Sequence, residues 1–318
     1  LLLMALMAVM AVGLIACGTD KSDNESTKEE KTSVTITSLD ASKNEIELEV
    51  PYNPKRIAIL DLASLDIIDE LGVGDRVVGM ASTSIDYLEK YSNDASIKNL
   101  GTIKEADLEA VMECEPDIIF IGGRLSKSYD ALSEIAPVVY LATDTNEGLV
   151  NSVSKNAKTI ASIFGMEDKV DSLMSDFGAR IDTIKKISSG KTALVGMTTS
   201  GSFNLLGNDG RCSLIGVEAG FNNLTAAGST STHGNETSFE TVVKQNPDYI
   251  FVMDRDSAIS TAGAKNAKEI VENELVKTTD AYKNNHIIYL EHSNVWYTAE
   301  GGIQALDIML TDLEKGLK

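Results

Sequence analysis

Cysteine, histidine, arginine and tryptophan are all scarce in this chain, and each shortage excludes something. Three cysteines (17, 114 and 212) among 318 residues cannot form a framework of structural disulfides, and no Cys-x-x-Cys occurs. Cys114 and Cys212 sit in apolar contexts and read as small buried thiols. Three histidines (233, 286 and 292) argue against a three-His zinc site. GxGxxG, GxxxxGK[ST], GxSxG and HExxH are absent, the Gly-rich stretch 198–210 lacks a P-loop Lys, and no acidic run has a calcium-loop spacing. Beyond residue 17 no segment approaches the roughly 20 apolar residues that span a bilayer. A net charge of −20 and a pI near 4.5 argue against a nucleic-acid partner, because phosphate binding needs a basic face. The acidity is spread along the chain and reads as solubility. Of 28 basic residues only six are Arg, at 56, 76, 124, 180, 211 and 255, so the placement of each Arg is informative.

What the chain has is a repeat. Residues 107–124 read DLEAVMECEPDIIFIGGR and residues 238–255 read SFETVVKQNPDYIFVMDR; at a constant offset of 131 (255 − 124), 7 of 18 positions are identical. The shared residues are Glu109/Glu240, Val111/Val242, Pro116/Pro247, Asp117/Asp248, Ile119/Ile250, Phe120/Phe251 and Arg124/Arg255. Each copy predicts a short amphipathic helix stopped at Pro-Asp, then a strand buried on both faces that ends in Arg. Ligands of open parallel α/β sheets bind beyond the carboxyl ends of the strands. The repeat therefore predicts an α/β fold with two Rossmann-like lobes, parallel-rich central sheets, and a cleft between lobes that receives an anion.

Taken in order, residues 1–17 read as a lipoprotein signal that the sequence enters part-way, with Leu14-Ile15-Ala16-Cys17 as a lipobox and Cys17 as the lipidated residue. Residues 18–50 are a polar tether and a β-hairpin (34–37 with 45–50). The N-terminal lobe spans 51–147, a connecting helical region interrupted at Gly165 spans 148–188, and the C-terminal lobe spans 189–318. Helical spacing of Val170, Leu173, Met174, Phe177, Ile181 and Ile184 predicts a rod of roughly 20 residues, about 30 Å, as a single long helix joining the lobes and permitting limited closure. In the second lobe, 198–211 and 293–302 are expected to be loops, with helices at 212–219, 265–276 and 303 to about 315.

Arg124 and Arg255 end equivalent strands, and Arg211 closes the Gly-rich stretch, so all three are candidates for binding a planar polyoxygenated anion. His233, Trp296 and Tyr297 lie in expected second-lobe loops beside the cleft and are candidates for contact with the ligand. Imidazole and phenolate suit a metal such as ferric iron, although a lone loop His is more often a capping or surface residue. Glu109 and Glu240 sit in the first turns of the repeated helices, where a carboxylate satisfies the helix dipole.

Together the Pro-Asp-Ile-Ile-type repeat, the lipobox and the tether resemble the iron-siderophore family of ABC-transporter substrate-binding proteins, the helical-backbone class III periplasmic binding proteins. IGGR (121–124), NDGR (208–211), STHG (231–234), MDR (253–255) and VWYTAEGG (295–302) are similar to its ferric catecholate, petrobactin-type branch. The resemblance implies a lipid-anchored, extracytoplasmic monomer, not an enzyme, without an intrinsic cofactor, that delivers a ferric siderophore to an ABC permease dimer. It implies that Arg124, Arg211 and Arg255 surround the ferric complex and that His233 and Tyr297 complete the iron shell. Glu109 and Glu240 would dock onto the permease. Glu300 departs from the Gly-rich pattern usual at its position and adds negative charge beside the anion site. A haem or cobalamin carrier of the same fold, or an α/β enzyme acting on an anionic metabolite with His233 as base, remain the alternatives.

Overall fold

Residues 31–227 and 230–318 are described by the structure, a computed structural model. The expected signal, Cys17 and most of the tether lie outside the described residues. Among those described, no helix is long and apolar enough to cross a membrane.

Strands β1 (Ser33–Leu39) and β2 (Glu45–Pro51) form the expected antiparallel hairpin, in register from Ser33↔Pro51 to Leu39↔Glu45. Asp40 closes its turn by accepting from the Ser42 and Asn44 amides. The first lobe follows as a five-stranded, all-parallel sheet. Its strands are β3 (Ile57–Leu60), β4 (Val77–Met80), β5 (Lys98–Asn99), β6 (Ile118–Ile121) and β7 (Val138–Tyr140), in the order β5-β4-β3-β6-β7. Every residue of the two central strands β3 and β6 is buried, which is why they read as uninterrupted apolar runs.

The second lobe is built on β8 (Thr192–Thr199), β9 (Ser202–Leu205), β10 (Asn222–Asn223), β11 (Asn235–Glu236), β12 (Tyr249–Asp254) and β13 (Ile287–Tyr289). The order is β11-β9-β8-β12-β13, with β10 also on β8; β9 pairs antiparallel with both β8 and β11, and the other pairings are parallel. Here the expected Gly-rich loop is corrected. Ser200 and Gly201 have φ of 51° and 81° and make a two-residue turn, so residues 192–205 are a tight hairpin. Positive φ at both turn residues is what a type I′ connection requires.

The repeat has a structural origin at its Pro-Asp step. In each copy an N-cap, Asp107 or Ser238, accepts from the amide three residues on, the placement that satisfies an orphan helix donor. The helix then stops at a residue with φ of 43° (Glu115) or 42° (Asn246). The Asp that follows ties the new strand to its neighbour: Asp117 accepts from the Lys55 and Arg56 amides ahead of β3, and Asp248 from the Thr192 amide and hydroxyl at the start of β8.

Two expectations about the connection between lobes are revised. The expected interruption at Gly165 is present, with Leu149–Phe164 ahead of it, but the rod expected beyond it is two helices, Glu167–Leu173 and Phe177–Ser188. Gly165 (φ 66°) ends the first. The second break falls at Met174–Asp176, where the Ser175 hydroxyl donates to the Ser172 carbonyl and competes with the helical ladder. The apolar period survives that break, so periodicity alone did not reveal it. Nor is the connector the only tie. The C-terminal helix Ile303–Gly316 docks on the first-lobe helix Leu62–Leu71, where buried Asp66 accepts from the Gln304 and Ala305 amides at 2.9 Å and from the Tyr87 hydroxyl at 2.7 Å. A side chain at Gly302 would collide with Asp66, so glycine is needed for that approach. Arg180 of the connector pairs with Asp307 and Glu314 of the same terminal helix, and Glu218 accepts from the Leu149 and Val150 amides. One apolar cluster runs continuously from Ile59 and Leu65 through Leu306 and Met309 to Met197 and Phe251. The two sheets share a core, and an interface of this kind opposes wide opening.

Candidate functional site

Beyond the C-terminal ends of the parallel strands lies a cleft of about 530 Å³ lined from both lobes. The first lobe contributes the turn after β3 (Asp61, Ser64), the Gly122-Gly123-Arg124 segment after β6, and residues 141–145 after β7. The second contributes 206–213, 230–232 and 297–301. Gly122 follows β6 directly, and a Cβ there would strike the Asp61 carboxylate, so glycine lets the two turns meet.

Tyr297 is the centre of the arrangement. It belongs to a short helix, Ser293–Thr298, where a loop was expected. The helix is held by contacts distant in sequence: Asp312 accepts from the His292 amide at 3.0 Å and from the Trp296 indole at 2.9 Å. Three guanidinium carbons lie over one phenol ring, at 5.5 Å (Arg124), 4.5 Å (Arg211) and 5.7 Å (Arg255) from its centroid, within the range of cation–π attraction. The Tyr297 carbonyl accepts from Arg124 at 3.0 Å and from Arg211 at 3.5 Å. Its hydroxyl accepts from Arg255 at 3.3 Å. Burial pushes the Tyr297 phenol up, but the Arg255 hydrogen bond and the charges of Arg211, Arg255 and Arg124 outweigh it and hold the group below its ordinary value. The site therefore makes the phenolate easier to form than it is in water.

The arginines differ in what else they hold. Arg255 pairs with Asp256 at 3.2 Å and also donates to the Thr199 hydroxyl. Arg211 donates to the Thr232 carbonyl at 2.6 Å. Neither Arg124 nor Arg211 is ion-paired among the described residues, and both line the cleft. Burial and the neighbouring Arg211 lower the pKa of Arg124, yet a guanidinium remains charged throughout the physiological range. Among the described residues neither cation has a carboxylate within salt-bridge distance, although Asp61 and Glu300 act on Arg124 from farther off, and such a site is complementary to an anion.

The remaining candidates separate. His233 is exposed and is not among the residues lining the cleft, although Thr232 before it is; its carbonyl accepts from Asn204. Partial burial lowers its pKa, and the charges of Arg255, Arg211, Lys104 and Arg124 act in the same direction, which favours the neutral, ligating imidazole. The expectation that Trp296 touches ligand is corrected: the indole is fully buried, spends its N–H on Asp312 and does not line the cleft. Trp and Tyr alternate faces within one helical turn, so only one of two adjacent residues can look into the cavity. Glu109 and Glu240 are exposed on their helices, away from the cleft lining and without an ion pair among the described residues. Leu108 and Met112, beside Glu109, are exposed too, at 37% and 54%. Asp61 was missed from sequence. Its one signal was its position directly after β3, and its N-cap bonds to Ser64 look structural in isolation.

Comparison with known proteins gives consistent relatives. Residues 57–293 match the family model described as periplasmic binding protein. The chain is 37% identical over 326 residues to the petrobactin-binding protein YclQ of Bacillus subtilis, covering 99% of this chain and 98% of that one. The crystal structure of YclQ superposes with a TM-score of 0.82 at 36% identity, over 90% of this chain and 99% of the other. A catecholate-siderophore binding protein of Vibrio cholerae, VctP, superposes with a TM-score of 0.80 at 31% identity, over 89% and 100% of the two chains.

Proposed function

The chain belongs to the periplasmic binding protein family, and from that premise we propose that it is the substrate-binding protein of an ABC importer, carrying a ferric catecholate siderophore. The observation that carries this reading is the group of three guanidiniums around Tyr297, two of them lining the cleft with no carboxylate within salt-bridge distance among the described residues. A ferric catecholate is a compact polyanion whose negative oxygens lie on its surface. Arg forks bind such oxygens in fixed geometry, and in a partly dehydrated cleft each pairing is stronger than in water. Tyr297 as phenolate and His233 as neutral imidazole would supply two donors to iron when the siderophore supplies only four. The names of the relatives, petrobactin-binding and catecholate-siderophore binding, support the same ligand class. The protein makes or breaks no bond in this role. Lipidation at Cys17 would hold the domain, as a monomer, at the outer face of the cell membrane.

The test is calorimetric titration with ferric bis- and tris-catecholates, ferric hydroxamates, haem and cobalamin. Saturable one-to-one binding of the ferric catecholates alone is expected. Binding of haem or cobalamin in their place would establish the carrier alternative and overturn this one.

Delivery requires a surface that the permease can read. Glu109 and Glu240 occupy equivalent points of the two lobes, which suits a two-fold symmetric permease dimer carrying basic residues. Replacing both by Ala is expected to abolish ferric-siderophore uptake in cells while changing affinity in vitro by less than about twofold. Exposed substitutions of this kind shift stability by only about 0.5 kcal/mol. Normal uptake by the double variant would remove these residues from docking.

A further inference from the structure

The first helix of the connector, Leu149–Phe164, begins without a cap of its own. Its N-cap residue is Gly148, which has no side chain to offer, and its first turn contains no acidic residue. The leading amides of a helix nevertheless need acceptors. Here the acceptor comes from the other lobe. Glu218 Oε1 accepts from the Leu149 amide and, at 3.1 Å, from the Val150 amide. Its second oxygen, Oε2, is buried with no hydrogen-bond partner among the described residues. What faces this carboxylate is the partial positive charge at the start of a 16-residue helix.

Both ends of the contact lead to the cleft. Leu149 lines it, and its helix packs on the hairpin strand β1 and on the first-lobe helix Leu62–Leu71. Glu218 follows Arg211 on a stretch of closely bonded backbone. The Ile215 amide donates to the Cys212 carbonyl at 3.1 Å, Val217 to Ser213 at 2.8 Å, and Ala219 to Leu214 at 2.7 Å. Cys212, Ser213, Leu214, Ile215 and Ala219 are buried, so this stretch is displaced as a unit or not at all. The Arg211 guanidinium itself donates to the Thr232 and Tyr297 carbonyls, both in the second lobe. The other ties between lobes, at Asp66 and Arg180, grip the terminal helix Ile303–Gly316 instead. Resting on the siderophore reading for what the cleft binds, we infer that Glu218 is a positioning residue: by capping a first-lobe helix from the second lobe, it holds Arg211 at the separation from Arg124 at which both meet one ligand. Glu218 does not line the cleft, and it acts through Arg211 alone. Without the cap, the Arg211 segment is free to withdraw, and affinity falls with the fraction of molecules that keep both guanidiniums in place.

The experiment is a double-mutant cycle, read by calorimetric titration with a ferric bis-catecholate. Glu218→Ala is expected to weaken binding about tenfold, the factor to which loss of a typical N-cap corresponds. Glu218→Gln keeps one acceptor oxygen, loses the charge, and should weaken binding about threefold. In an Arg211→Ala background, Glu218→Ala should change affinity by less than about twofold, because no guanidinium remains there to be positioned. Thermal unfolding is measured in parallel; a cap that only stabilises the fold would lower the midpoint without this coupling. A second readout needs no ligand. Burial raises the Tyr297 phenol, whereas the Arg255 hydrogen bond and the Arg211 charge lower it. Withdrawal of Arg211 should therefore move the phenol titration to higher pH in Glu218→Ala. NMR of 13C-labelled tyrosine follows it, with Tyr297→Phe assigning the resonance. Full affinity in Glu218→Ala, or an equal loss in both backgrounds, overturns the inference and leaves the siderophore reading intact. If the wild type binds no ferric catecholate, the siderophore reading falls; an unmoved Tyr297 titration then overturns the positioning role, and a titration moved to higher pH upholds it.

Discussion

Arg124→Ala is expected to weaken binding of a ferric catecholate by about 10- to 100-fold, and Arg124→Ala with Arg211→Ala by about a thousandfold or more. A hydrogen bond to a charged group contributes about 1.5–3 kcal/mol, and each 1.4 kcal/mol is a factor of ten in affinity. These two side chains qualify for the upper part of that range because, among the described residues, no carboxylate lies within salt-bridge distance of them, whereas Arg255 shares its charge with Asp256. Arg255→Ala should therefore cost less than either. The effects will not simply add, since the three guanidiniums surround one ring and one ligand. Arg124 also spans the lobes through the Tyr297 carbonyl, so a lysine variant is the proper companion: it keeps the charge and loses the fork. An intermediate affinity for Arg124→Lys, with unchanged thermal stability, would assign the loss to ligand recognition. Affinity within twofold of wild type in the double variant would show that the anion binds elsewhere.

Asp66→Asn is expected to lower stability by about 2–4 kcal/mol, read from the denaturant midpoint at constant m. One carboxylate here accepts from two backbone amides and a phenol in a fully buried site. An amide side chain has one acceptor oxygen and turns an N–H toward these donors, and each buried donor left unpaired costs about 1–3 kcal/mol. The pH dependence supplies a second readout. Burial raises the Asp66 carboxyl to about 6, above the value it takes in an unfolded chain. Between about pH 4 and 6 the folded state therefore binds more protons at this position than the unfolded state does. By linkage, this group makes the fold less stable as pH rises through that window. The slope should be shallower in Asp66→Asn. An Asn variant as stable as wild type, with the same pH slope, would mean that the docking of the terminal helix does not depend on this residue.

Much of this was legible in the order of the residues, because its causes are local. Buried parallel strands must be apolar throughout, helix starts need short polar caps, and a chain passing twice through the same helix-stop-strand unit writes the unit twice. The repeat thus located Arg124 and Arg255 at corresponding strand ends, and the motif IGGR carried the glycine that lets two turns approach. Where the sequence misled, the deciding contacts were remote. The apolar period of the connector ran unbroken across Met174–Asp176, although the backbone did not. VWYTAEGG looked like a loop because nothing nearby announces Asp312, which holds the helix and takes the Trp296 indole. The same cause turned Trp296 from a cleft residue into a core residue.

By itself, then, the amino-acid order determined the two α/β lobes, the places where their strands end, and the residue types able to meet an anion there. Only tertiary structure decided that three arginines converge on one tyrosine, that two of them line a cleft with no carboxylate in salt-bridge distance among the described residues, and that Asp61, Asp144, Asp209 and Glu300 line the same cleft. The physical reason is range: hydrogen bonding and periodic burial act between near neighbours in sequence. Charge complementarity in a cleft, by contrast, depends on groups brought together from segments as far apart as Asp61 and Glu300.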